Sequence, residues 1–137
     1  MAWLHATPKP AEGTRRAQEG AKVSKLNRLD RMRKDDVPVL MPPNPAPHII
    51  DRLVEVGLTE AGAMSAVPLS WREIDAWCSR THVALAPWEA RLIRSLSVAY
   101  VAESRRAESE NAPAPWKAPI TQREVETEEA RLMMVLG

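Results

Sequence analysis

The placement of proline constrains this chain more than any other feature. Of its 12 prolines, five fall within residues 38–47 (PVLMPPNPAP) and three within residues 111–119 (NAPAPWKAP). Proline removes a backbone donor and fixes φ, so neither segment suits a helix interior or a central strand. Both predict extended spacers. They divide the 137 residues into a basic arm with a proline-rich linker (1–47), a helical core (48–110), a second linker (111–120) and a terminal helix (121–137). A core of that size is close to the limit at which a domain is stable alone.

Helical spacing is clear inside the core. Ile49, Ile50, Leu53 and Val56 share one face of a helix that Pro47 can open and Gly57 can stop. Residues 58–69 predict a loop. Ser70 and Glu73 form a capping-box pattern, in which the serine oxygen accepts from the Glu73 amide and the glutamate reaches back. At 100° per residue, Trp71, Ile74, Trp77, Cys78 and Thr81 then fall in an arc of about 120°, the width of a core-facing stripe. Pro87 and Glu89 open a further helix with Trp88, Leu92, Ile93, Leu96, Ala99 and Tyr100 on one face. Its other side presents Arg91, Arg94 and Arg105 as a basic stripe, with Val98 and Val101 between them. The expected core is tryptophan-rich: Trp71, Ile74, Trp77 and Cys78 against Trp88, Leu92, Leu96 and Tyr100, completed by Ile50 and Leu53. No segment alternates apolar and polar residues over four to eight positions, so no strand is predicted. The fold class is all-α, a bundle of about three helices with arms.

The arms carry weaker signals. Residues 1–22, small and charged with Pro8, Pro10, Gly13 and Gly20, predict disordered chain. Val23, Leu26, Leu29 and Met32 recur every third residue, a row that drifts around a helix and gives a short amphipathic one. Thr121 and Glu124 repeat the capping box. Val125, Leu132, Met133 and Leu136 follow as a narrow apolar stripe on an acidic helix. Isolated helices of this length are marginal in water, so this one must dock on the core or on a partner. These four residues, with Arg91, Arg94 and Arg105, are the candidate partner-binding residues.

The net charge of +1 hides an asymmetry: residues 1–34 hold nine Lys/Arg against three Asp/Glu, and the remainder ten against fifteen. Such an arm suits nucleic acid or an acidic protein surface, or simply a solvated tail. No aromatic residues are interleaved with its basic ones, as single-strand binders show. The core resembles a helix–turn–helix over residues 71–105, but Trp88, Leu92 and Ile93 are needed for packing where base-reading residues would stand. Nucleic acid is therefore disfavoured as a partner.

Reactive constellations are not evident. His5, His48 and His82 are far apart, and neither a Cys/His pair nor a phosphate-cradling glycine loop is present. The expectation is no catalytic residue, no cofactor and no metal: not an enzyme. A single cysteine, Cys78, precludes an intramolecular disulfide framework. On an apolar face its thiol pKa is raised, which makes it a packing residue. Glu103 projects into the apolar arc of its helix, either to meet a partner arginine or because the helix leaves the core there. No run approaches the ~18–20 apolar residues that span a bilayer, and the N-terminus lacks a signal-peptide pattern. A soluble, cytoplasmic protein without membrane contact is expected.

Gly57, PLSWREIDAW (68–77), LAPWEARLIRSLSVAYVAESRRAE (85–108) and PAPW (113–116) stand out as a set. So do WLHA (3–6) and LNRLDRMRK (26–34). The stretch around the first four, residues 46–117 and about half the chain, resembles small proteins encoded among the tail genes of tailed double-stranded DNA phages and prophages, the tail assembly chaperones or their C-terminal extensions. The resemblance implies a non-enzymatic assembly factor in the host cytoplasm. Its implied partners are the tape measure and the tail tube subunit, with self-association also open. It implies no catalytic residue. The alternative is a helix–turn–helix-like nucleic-acid-binding or regulatory protein of a phage.

Overall fold

The computed structural model describes residues 1–20 and 25–137. Among them the chain is mainly α-helical: α1 (Ala2–His5), α2 (Arg15–Gln18), α3 (Arg28–Lys34), α4 (Pro47–Val56), α5 (Trp71–Thr81), α6 (Pro87–Arg106) and α7 (Gln122–Leu136). One small hairpin, β1 (Glu60–Ala61) and β2 (Ala66–Val67), separates α4 from α5.

The helix ends follow local chemistry. Pro47 and Pro87 occupy first-turn positions of α4 and α6, and Gly57 ends α4 at φ 122°, a backbone region that L-residues rarely enter. Ser70 Oγ accepts from Glu73 N–H at 3.2 Å and caps α5, as expected. The reciprocal half of that box is different. Ser70 N–H donates to Glu60 Oε2 at 2.8 Å, so the cap ties α5 to the hairpin. At Thr121 both halves of the box form, with Thr121 N–H on Glu124 Oε2 at 2.7 Å.

The hairpin overturns the loop expected over residues 58–69. Glu60 pairs with Val67 and Ala61 with Ala66 in an antiparallel ladder. Two-residue strands are too short to show alternation, so periodicity carries no signal there. Gly62 sits where a Cβ would come within 2.5 Å of the Ser65 carbonyl oxygen, so the turn closes only on glycine.

Ile49, Leu53, Leu69, Ile74 and Ile93 form the buried core where α4, α5 and α6 meet, with Leu58, Cys78, Leu85 and Leu96 packed around it. Each such side chain contributes about 1.5–3 kcal/mol on burial. The tryptophan-rich core does not form. Trp71 and Trp88 are 52% and 54% exposed, Leu92 lies at the surface, and Ile50, Trp77 and Tyr100 are only half-buried. Two rotations explain this. In α4 the residue turned inward is Ile49, the neighbour of Ile50. In α6 the buried row is Ile93, Ser97 and Val101, one residue and hence about 100° away from the row through Trp88, Leu92 and Leu96. The row holds a serine at its centre, so hydrophobicity alone places the stripe elsewhere. Ser97 is fully buried, yet its hydroxyl is satisfied: it accepts from Leu69 N–H at 2.8 Å and donates to the Leu58 carbonyl at 2.6 Å.

The first ten residues, expected to be disordered, dock on the far end of α6. Arg28 holds them there. Its guanidinium is buried and donates to the carbonyls of Trp3 (3.1 Å), Ala107 (2.6 Å) and Ser109 (2.8 Å), and it stacks on the Trp3 ring at 4.6 Å. Burial lowers its pKa from the usual guanidinium value. A cation beside the terminal carbonyls of α6 also suits the negative end of the helix dipole. Trp3 Nε1–H donates to Ala112 O at 2.9 Å, and Lys9 exchanges backbone hydrogen bonds with Glu108 and Glu110 at 2.7 and 3.1 Å. The helix expected from Val23 begins only at Arg28, where Asn27 Oδ1 accepts from Asp30 N–H at 2.8 Å; Val23 itself lies outside the described residues.

Candidate interaction surfaces

The seven residues singled out for partner binding fall on two elements. Val125, Leu132, Met133 and Leu136 all lie on α7, and every residue of α7 is exposed. The stripe is wider at its end than expected, because Met134 and Val135 are also uncovered and make the last turn apolar all round. Toward its start the helix is acidic: Glu124, Glu126, Glu128 and Glu129 stand against Arg123 and Arg131. Of these, Arg131 is engaged with Glu128 at 3.2 Å.

The basic stripe of α6 is not continuous. Arg91 and Arg105 are exposed, fourteen residues and about 21 Å apart along the helix. Arg94, expected between them, is half-buried with its guanidinium 5.6 Å from the Trp71 ring. Val101 is buried in the interior. Trp71 therefore serves as a platform for an arginine rather than as a core residue, a cation–π contact at the surface. Arg106 pairs with Glu103 at 2.7 and 2.9 Å, and that bond holds the Glu103 carboxyl below its ordinary pKa. The Glu103 expected to be wet is thus half-buried and matched within its own helix.

Two apolar cavities, not foreseen from the sequence, lie where the proline-rich segments meet the N-terminus. The first, about 260 Å³, is lined by Trp3, Met32, Leu40, Met41, Pro42 and Trp116 among others. The second, about 510 Å³, continues from Met41 and Pro42 past Pro45 to Ile50, Leu96 and Tyr100. Because they share Met1, Met41 and Pro42, they form one groove. Its signal in the sequence is the isolated tryptophan: Trp3 and Trp116 stand in segments that otherwise have no reason to hold a large apolar ring.

A more polar cleft of about 370 Å³ gathers His5, Lys9, Tyr100, Ser104 and Glu108. His5 Nδ1 and the Tyr100 hydroxyl are 2.9 Å apart, and Lys9 meets Glu108 at 3.4 Å. These contacts join the N-terminal segment to α6. Cys78 is half-buried, and burial together with the Asp75 carboxylate pushes its thiol pKa up, as its apolar face predicts. Among the described residues, no three His, Cys, Asp or Glu side chains group to hold a metal ion. Nor, among them, is any helix long and apolar enough to cross a membrane. No protein-family profile, curated protein or solved structure matches this chain.

Proposed function

We propose that this protein is a non-enzymatic phage tail assembly factor, a chaperone or adaptor that engages the tape measure or the tail tube subunit in the host cytoplasm. The observation that carries the reading is α7, an amphipathic helix whose Val125, Leu132, Met133 and Leu136 are all uncovered. A proline-rich spacer holds it off a folded core. Laying such a stripe into a partner's groove is a standard mode of helix recognition. At about 25 cal/mol per Å² it supplies several kcal/mol before ordering costs. The resemblance of residues 46–117 to tail-gene proteins selects the class of partner.

The test is co-purification with tail proteins. A chain ending at residue 120 should keep the thermal transition of the core and lose the tape measure and tube subunit. Retention of both by that truncation, with loss on substituting Arg91 and Arg105, would place the contact on α6 and overturn the reading.

A further inference from the structure

We propose that residues 9–19 form an electrostatic strap, docked on the carboxylates at the end of α6, which keeps the basic arm from binding polyanionic chains until it is released. Few contacts hold the segment. Between Pro8 and Pro10, which have no amide hydrogen, Lys9 N–H donates to the Glu108 carbonyl at 2.7 Å and the Lys9 carbonyl accepts from Glu110 N–H at 3.1 Å. Lys9 and Ser109 thereby make an isolated parallel bridge, and the flanking prolines stop it from lengthening into a strand pair. Beside the bridge lie two ion pairs, Lys9 Nζ to Glu108 Oε2 at 3.4 Å and Arg16 Nη1 to Glu110 Oε2 at 3.1 Å.

Apolar burial adds little. No residue from 9 to 20 is buried, whereas the chain before it is fixed by Arg28 on the Trp3 carbonyl and by the buried Ala2. The arm is thus divided into an anchored first turn and an outer part held by one bridge and by charge. The carboxylates have their own reason to take these cations. Glu108 and Glu110 follow directly on α6, at the negative end of its dipole. Of the two arginines in the last turn, Arg106 already serves Glu103. Lys9 and Arg16 bring further positive charge from the arm.

The pairing uses charge that the arm would otherwise offer. Residues 1–34 hold nine Lys/Arg. Lys9 and Arg16 face Glu108 and Glu110, Arg28 is buried on carbonyls, and Arg15 and Arg33 lie against Glu19 and Asp30 within the arm. Salt screens the two strap pairs, since both of their cations are exposed, and a polyanion competes for the same cations directly. The contact is autoinhibitory: the closed form binds a phosphate or sulfate chain more weakly than the open one. The adaptor reading rests on α7 and stands or falls separately.

The test compares two variants of the full chain that gain equal positive charge. Glu108→Gln with Glu110→Gln removes both pairs. Asp51→Asn with Glu126→Gln alters exposed carboxylates of α4 and α7 and leaves the strap untouched. The probes are a heparin column and amide hydrogen exchange, with circular dichroism to verify the helices. An exposed ion pair shifts an equilibrium by about 1.4- to fivefold, so losing two should quicken exchange at the Lys9 and Glu110 amides by roughly two- to thirtyfold. The buried Leu69 amide should be unchanged. The strap variant should also leave heparin at a higher salt concentration than its charge-matched control. Co-elution of the two variants overturns the proposal, because net charge alone would then set the affinity. Unchanged exchange at Lys9 also overturns it, because the ion pairs would then not hold the strap.

Discussion

Replacing Ser97 with alanine removes a hydroxyl that serves two backbone groups at once. The Leu69 amide reaches Ser97 Oγ at 2.8 Å, and Leu69 is only 1% exposed, so no water replaces the lost acceptor. Stranding a buried donor costs about 1–3 kcal/mol. The Leu58 carbonyl, 2.6 Å from the same oxygen, belongs to a half-buried residue and recovers part of its bonding from solvent. The combined loss is about 2–4 kcal/mol, against a total stability of about 5–15 kcal/mol for a domain. In urea unfolding, with a slope of about 2 kcal/mol/M, the midpoint should fall by roughly 1–2 M at unchanged slope. Ser95→Ala, an exposed position on the same helix, should stay within about 0.5 kcal/mol of the parent. Hydrogen exchange at the Leu69 amide should quicken selectively in the Ser97 variant. If Ser97→Ala unfolds at the parental midpoint, the hydroxyl does not hold the hairpin to α6, and the reasoning fails.

Arg28→Met keeps the stem and deletes three hydrogen bonds to carbonyls; it should lower stability by about 2–4 kcal/mol and expose residues 1–10 to proteolysis, and an N-terminus cut no faster than in the parent would refute this. Ile93→Ala should cost about 2–5 kcal/mol, whereas Trp88→Ala should cost no more than about 1 kcal/mol; the reverse order would restore the tryptophan face as the core. Because burial and Asp75 raise the Cys78 pKa in the fold, the thiol's contribution is complete below its unfolded pKa and is lost as pH rises through the folded value. Urea midpoints should therefore fall more on going alkaline in the parent than in Cys78→Ala, and equal falls would refute the assignment.

The all-α class, the α4, α5 and α7 starts, and the exposed stripe of α7 were all legible because each rests on local chemistry. Pro47, Ser70 and Thr121 act within one turn of themselves, and periodicity reports a helix wherever a face is apolar. What escaped depends on residues far apart in the chain. Ser97 is a core residue only because Leu58 and Leu69, 39 and 28 positions away, bring it an acceptor and a donor respectively. Arg28 counts as surface charge until carbonyls 25, 79 and 81 positions away surround it. A polar residue at the centre of a packed row reverses the sign of its hydrophobicity, and the α6 face is misassigned by the one residue that separates Leu92 from Ile93. Of the candidate site, α7 was visible and the groove was not, since two proline segments and the N-terminus have no local reason to meet.

The two ends of the chain are held in opposite ways. The N-terminus is fixed chiefly by a buried cation that stacks on the Trp3 ring and whose hydrogen-bond partners are all backbone carbonyls, with the Lys9–Glu108 ion pair beside it at the surface. Once fixed, it contributes Met1 and Trp3 to the groove, whose other walls are helix residues such as Met32, Ile50 and Leu96 and proline segments with little conformational freedom to lose. A groove with preset walls binds a helix at lower ordering cost than one formed by free arms. Arg28 thus holds in place residues that line the groove without lining it itself. The C-terminus, by contrast, shows no side chain returned to the core among its fifteen helical residues, which leaves its whole apolar stripe available to another molecule.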